Sequence, residues 1–494
     1  MQRDRGWKSL HRGHCCKIRL FMNRYFSKKI ARGICFVSGA LALSLQVKAD
    51  GIGFPTSRPG MIGALGIQKT AAFVEPLNQY AYVYLKEGES LNYQIQKAGG
   101  NLGSNALIYS IYSPLGQVGT DVTIPNATSA VQTGTVTATA ETAGIWIVKM
   151  NLFGNTNYWR FDVNAMAADG TTRIGGRVYT DFIYPVQNNL ANIPLFVQTP
   201  SGHRYDVALN GYNGVNSRLS SDQYGLTSVA NCSESLYRSA EITDASVRSY
   251  NELSCGVQNK MFFSAIDVTM PATAPMWNLT SNQTINEWLN PALTGPVVSE
   301  LAYTAVSGSN PMAGNFTLKV ADHVGQATLL LDLDNDGIYG GANDRSIPFG
   351  VANANTITVP FDGLGANGSP LAAGSTMKAK VLVDKAGEVH FTMIDVEVLA
   401  GVKITRTTGE ATGNTLLYWD DAALSEDGRD SITPIKDGSA GVDSGSGSGV
   451  HGWGGGTSQW GNNRLIDNWA YAGAAATQEI TIEGCAANAG TISR

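Results

Sequence analysis

Ala327-Thr328-Leu329-Leu330-Leu331-Asp332-Leu333-Asp334-Asn335-Asp336-Gly337 is a short apolar run that ends in three alternate carboxylates and a glycine. The run is brief and leads straight into a turn, so it reads as a β-strand and not as a helix. Oxygen ligands at the first, third and fifth positions of such a loop converge on one hard cation, and the glycine permits the sharp bend that brings them together. The pattern therefore predicts a calcium loop joining two strands of a β-domain, not an EF-hand. Asp332, Asp334 and Asp336 are the leading ligands, with the Ile338 carbonyl contributing. Position twelve, where a bidentate Glu ordinarily closes the site, is Asn343, and Asp344 follows it as the expected closing carboxylate. A loop without that Glu is expected to bind weakly. The competing reading is an acidic turn that binds nothing, because Asp and Gly are also ordinary turn residues.

The rest of the chain repeats this texture. It has 494 residues with 56 Gly, and its apolar stretches are short and bounded by Gly, Asn, Asp and Ser. Sustained 3.6-residue periodicity is almost absent, which predicts an all-β fold of tandem β-sandwich modules. Strands are expected at Gln79-Tyr80-Ala81-Tyr82-Val83-Tyr84-Leu85 and at Gly144-Ile145-Trp146-Ile147-Val148-Lys149-Met150. Four modules are expected, over residues 70–165, 173–290, 295–400 and 401–484. A length of this size exceeds what one core ordinarily serves.

The first fifty residues carry the features of an export signal. Arg24, Lys28, Lys29 and Arg32 precede an apolar stretch over residues 34–45, and Val47-Lys48-Ala49 supplies small residues for cleavage before Asp50. The apolar stretch is too short to span a bilayer, so residues 1–49 read as an N-terminal extension and signal peptide, with Met22 the more economical start. No transmembrane segment is expected in the mature chain. That segment holds eleven of the 35 Lys and Arg and one of the 40 acidic residues, so its removal leaves a net charge of −15. Such a surface repels nucleic acid and favours cations. A nucleic-acid partner is not expected.

Of the mature cysteines, Cys232 and Cys255 stand close together and Cys485 stands far off. In an oxidising compartment a Cys232–Cys255 disulfide is the natural expectation. Four histidines (His203, His323, His390, His451) are scattered without the short spacings of a zinc site.

Two further stretches carry resemblances. Val359-Pro360-Phe361-Asp362-Gly363-Leu364-Gly365-Ala366-Asn367-Gly368-Ser369-Pro370-Leu371 resembles a motif of Ig-like repeats in bacterial extracellular proteins, including the Ig-like domain of the flagellar hook-capping protein. Its Asn367-Gly368 pair suits the positive φ of a tight hairpin turn. Tyr418-Trp419-Asp420-Asp421, followed by Gly461-Asn462-Asn463-Arg464 and Ile466-Asp467-Asn468-Trp469, resembles segments near the N-terminal parts of long bacterial surface and adhesin-type proteins. The first module is similar to jelly-roll-like modules appended to bacterial secreted proteins. Together these resemblances imply a secreted or cell-surface, adhesin-like, non-catalytic protein with a glycan or protein ligand at the cell surface.

The search for catalytic chemistry returns little. Gly445-Ser446-Gly447-Ser448-Gly449 matches the letters of a nucleophile elbow but lies in a low-complexity stretch, where the strained strand-to-helix turn cannot be built. Asp420, Asp421, Glu426, Asp427 and Asp430 cluster near Trp419, and paired carboxylates beside an aromatic are what glycosidic cleavage needs. Trp419, Trp453, Trp460 and Trp469 offer flat faces for stacking on sugar rings. The alternative function is therefore a secreted polysaccharide-binding or glycoside-cleaving protein using this C-terminal region. Against it stands the bland reading that these Trp side chains fill a sandwich core.

Overall fold

The computed structural model describes residues 50–52, 62–65, 78–98, 107–124, 130–152, 157–186, 191–214, 217–232, 235–248, 257–306, 310–323, 325–351, 356–383, 385–409, 412–425, 436–454, 460–472 and 479–483. Among these residues the regular structure is entirely β. The expected export signal over residues 1–49, Cys255, Cys485, Glu426, Asp427 and Asp430 lie outside the described residues. Cys232 is described and half-buried.

The backbone of the fold is one eleven-stranded sheet. Its strands run Gln283–Trp288, Thr273–Asn278, Gly144–Leu152, Asn78–Leu85, Val178–Thr180, Lys260–Phe262, Ala191–Gln198, Arg204–Tyr212 and Gly401–Arg406, with Leu107–Ser113 and Gly116–Ile124 branching from Gly144–Leu152. A second sheet is centred on Asn157–Met166 and Ser90–Ala98. A third is centred on Arg218–Asp222, Val389–Ile394 and Arg464–Ala470. Side chains from all three sheets share a single apolar core that includes Val83, Val148, Phe161, Val197, Val207, Phe391, Val402 and Ile466.

Alternation explains how the long sheet presents two faces. In Asn78–Leu85 the residues Ala81, Val83 and Leu85 enter the shared core, while Tyr82 and Tyr84 join a smaller cluster with Tyr179, Phe262, Met270 and Leu289 on the other face. The run Ile145-Trp146-Ile147-Val148 is buried throughout, as expected of a strand covered on both faces.

A separate core belongs to an inserted sandwich. Val297–Ala305, Gly314–Ala321 and Thr356–Phe361 form one sheet, and Arg345–Val351, Gly325–Asp332, Thr376–Leu382 and Glu479–Glu483 form the other. Between them lie Phe316, Leu318, Val320, Leu329, Leu331, Val359, Met377 and Val381. Gly314–Ala321 alternates strictly between buried and half-buried positions, which sets its register against both neighbours.

The strand pairing crosses every module boundary placed from the sequence. Val178–Thr180 pairs with Asn78–Leu85, so the segments 70–165 and 173–290 share a sheet. Gly401–Arg406 pairs with Arg204–Tyr212, and Val389–Ile394 pairs with Arg218–Asp222, which draws most of 401–484 into the same body. Glu479–Glu483 instead pairs with Thr376–Leu382 and closes the inserted sandwich from the far end of the chain. Alternation marks a strand but carries no address for its partner, and these partners are distant in sequence.

The Asn367-Gly368 turn is present, with Gly368 at φ 75° and Ser369 N–H donating to Asn367 Oδ1 at 2.9 Å. The flanking strands Thr356–Phe361 and Thr376–Leu382, however, lie in different sheets. The turn closes only a Leu364–Pro370 bridge within a crossover, so the expected hairpin is replaced by a sheet-to-sheet connection.

Candidate functional site

The acidic loop sits where the sequence placed it, between Gly325–Asp332 and Arg345–Val351, which pair antiparallel with Leu331 opposite Arg345. Pairing of these two strands fixes both ends of the loop. Asn335 and Gly337 adopt φ of 59° and 84°, the left-handed turns that fold the carboxylates back over the strand ends. One oxygen from each of Asp332, Asp334 and Asp344 lies within 4.8 Å of the other two.

Hydrogen bonds orient each member. Gly337 N–H donates to Asp332 Oδ2 at 2.9 Å, Leu333 N–H to Asp344 Oδ1 at 3.1 Å, and Gly341 N–H to Asp344 Oδ2 at 2.8 Å. Asn343 Nδ2 donates to Asp334 Oδ2 at 2.9 Å. Asp332 is fully buried, and its Oδ1 has no hydrogen-bond partner. A buried carboxylate oxygen without a partner costs about 1–3 kcal/mol or more. A hard cation bound to the same oxygen removes that cost, so the donor set fits calcium.

One of the expected ligands is placed differently. Asp336 is exposed and stands outside the three-carboxylate group, its Oδ1 accepting from Ile338 N–H at 2.7 Å. Ile338 is 65 % exposed. The loop also reaches the last described strand: Tyr339 O–H donates to Glu479 Oε2 at 2.9 Å, and Lys380 Nζ lies 3.9 Å from the centre of the Tyr339 ring.

The C-terminal aromatics have another role. Trp419, Trp453 and Trp469 are buried in the shared core, and Trp460 packs half-buried against it. These faces are taken up by neighbours: Trp419 stacks on His451 at 4.6 Å, and Trp453 meets Trp460 at 5.0 Å. The expected sugar-stacking platform is therefore corrected to a packing cluster. Of the acidic pair, Asp421 turns inward to bond His451 Nε2 at 2.8 Å, and Asp420 Oδ1 accepts from Ala422 N–H at 2.8 Å.

A second charged constellation comes from residues that the sequence reading left apart. His390 is fully buried in Val389–Ile394, its Nδ1 3.0 Å from both oxygens of Asp467 in Arg464–Ala470. Its Nε2 lies 3.5 Å from Glu388 Oε1, and Tyr237 O–H donates to Glu388 Oε2 at 3.1 Å. Burial alone pulls the imidazole pKa down, but Asp467 and Glu388 outweigh it and raise it to about 10. His390 is thus an imidazolium clasped between two carboxylates. Asp222 is held nearby with its pKa raised by burial, an effect partly offset by Gly225 N–H.

His203 and His323 approach the same place from other elements. The Gly387 backbone presses against the His203 ring, and a Cβ at Gly387 would stand 2.3 Å from His203 Cγ. Burial, with Arg406 and His323 adding to it, lowers the His203 pKa to about 4. The signal that could have exposed this cluster is the presence of His390 and Asp467 in strands whose every residue is buried. Compared with known proteins, the chain matches no family model and no curated protein.

Proposed function

We propose that the chain is an exported bacterial surface or extracellular β-protein, non-catalytic and adhesin-like, whose inserted sandwich is stiffened by calcium. The observation that carries the calcium is the buried, unpartnered Oδ1 of Asp332 beside Asp334 and Asp344. Calcium there is held by Asp332, Asp334 and Asp344, with neighbouring loop oxygens and water completing a shell of 6–8 ligands. It ties the two hairpin strands together at the end joined by the loop.

Export and surface location rest on the basic and apolar N-terminal residues, on the net charge of the mature chain and on the Ig-like motif around residues 359–371. For the glycoside-cleaving alternative, Asp421 is engaged by His451 and Trp419 is buried, while Glu426, Asp427 and Asp430 lie outside the described residues. The test is thermal unfolding with calcium and with chelator, repeated on Asp334→Ala. A calcium-dependent rise in the wild type that is absent in the variant supports the reading, and identical melting in calcium and chelator overturns it.

A further inference from the structure

An open β-sheet ends in two outer strands, each with a row of unpaired backbone N–H and C=O groups that can template another strand. Among the described residues, almost every edge strand of five residues or more carries a block against this. Pro348 and Pro360 interrupt Arg345–Val351 and Thr356–Phe361. Asp121, Glu287, Glu300, Lys403 and Glu479 place a charge in Gly116–Ile124, Gln283–Trp288, Val297–Ala305, Gly401–Arg406 and Glu479–Glu483. Gln132–Thr137 has neither device: it reads Gln-Thr-Gly-Thr-Val-Thr and is the outer strand of the sheet centred on Asn157–Met166. Its register against Ser90–Ala98 runs without a shift from Gln132 opposite Ile95 to Thr137 opposite Ser90, so no bulge turns the edge away.

The outward backbone groups belong to the threonines. Ala138 N–H donates to Glu89 O at 2.8 Å, and Ala138 O accepts from Gly88 N–H at 2.9 Å, so Ala138 turns its backbone toward the neighbouring strand. In an antiparallel pair this direction alternates along the chain, so Gly134 and Val136 also bond inward. Thr133, Thr135 and Thr137 then direct N–H and C=O to the free edge. Their side chains are exposed, and two of them are held in place: Asn92 Nδ2 donates to Thr135 Oγ1 at 3.0 Å, and Ser90 Oγ lies 2.9 Å from Thr137 Oγ1. On the opposite face the Tyr93 ring covers Gly134, where a Cβ would run into the Tyr93 hydroxyl.

We propose that Gln132–Thr137 docks a second copy of this chain, the two strands pairing antiparallel about a two-fold axis at Thr135. The strand is self-complementary about that point: Thr135 meets its own copy, Thr133 meets Thr137, and Gly134 meets Val136. Each outward-directed threonine then exchanges both backbone bonds with the threonine opposite. Thr opposite Thr is a favourable cross-strand pair, and Val136 of the second copy gains the aromatic face that Tyr93 lays over Gly134. Charge favours this edge for self-pairing. The chain is net negative, at −5, so copies repel one another in general, and pairing here sets no charge against its like. One strand pair buries less than the about 1,200 Å2 of a stable interface, so the dimer is weak and reversible.

The experiment is sedimentation equilibrium of the full chain from about 1 μM to about 1 mM, the range over which a weak dimer forms. The wild type is expected to pass from monomer to dimer across it. Thr135→Lys sets two ammonium groups opposite each other and Thr135→Asp two carboxylates, and each is expected to weaken the dimer at least about tenfold. Residue 135 is exposed, so neither variant should disturb the fold, which circular dichroism checks. An equimolar mixture of the two variants is expected to regain association, because residue 135 faces its own copy and the opposite charges then meet. A chain that stays monomeric at about 1 mM overturns the proposal and leaves the edge to a different partner. A dimer of unchanged strength in Thr135→Lys, or a mixture that regains nothing, overturns it equally.

Discussion

The acidic loop and the histidine clasp are both built from carboxylates, yet they arise in opposite ways. Asp332, Asp334 and Asp344 belong to one hairpin, and two paired strands suffice to bring them together. The clasp draws Glu388 and His390 from one strand end, Asp467 from a second strand and Tyr237 from a distant loop. The first is a local device, and on the proposed function it responds to an ion while the body stays intact. The second exists only when the third sheet is fully formed, so it is coupled to global folding. Local sites suit regulation by solutes, and non-local buried charge suits commitment to one register.

The largest effect is expected in the clasp. Asp467→Ala leaves His390 buried with its closer partner removed, and loss of one member of a buried pair ordinarily costs about 3–5 kcal/mol. Chemical denaturation should show this loss equally with calcium and with chelator. A loss below about 1 kcal/mol, or one that calcium rescues, would break the contrast between the two sites. The same clasp sets a pH signature. The His390 pKa is raised in the folded state from 6.5 to about 10. Its contribution is therefore fully present below about pH 6.5 and is lost as pH rises through 10. His390→Gln should flatten the alkaline fall in stability between those values, and an unchanged slope would refute the assignment.

Calcium is expected to come next. At a free concentration about a hundredfold above its dissociation constant it adds roughly 2.7 kcal/mol to the folded state. Hydrogen exchange should place the gain in Gly325–Asp332, Arg345–Val351 and Thr376–Leu382, with strands of the body such as Asn78–Leu85 unaffected. Protection spread evenly over both cores would show that the loop is not a local device.

The smallest effect belongs to the link between the loop and the final strand. Tyr339→Phe removes the hydrogen bond to Glu479 and should cost about 0.5–1.5 kcal/mol. The readout is faster exchange in Glu479–Glu483, larger in calcium than in chelator if the loop transmits its order to that strand. Equal exchange in wild type and variant would leave the closing strand independent of the loop.

Much of the local structure was legible from residue order. The alternation of Asn78–Leu85, the strand before Asp332, and the positive φ at Gly337 and Gly368 all follow from side-chain periodicity and the backbone freedom of glycine. These are nearest-neighbour properties, so the sequence by itself determined an all-β chain and a hairpin loop rich in carboxylates. Only the tertiary structure decided that Glu479–Glu483 closes a sandwich begun at Val297–Ala305, that Trp419, Trp453 and Trp469 face inward, and that Glu388, His390, Asp467 and Tyr237 form one clasp. Strand partners are chosen by which apolar faces can be buried together, and that choice depends on segments hundreds of residues away.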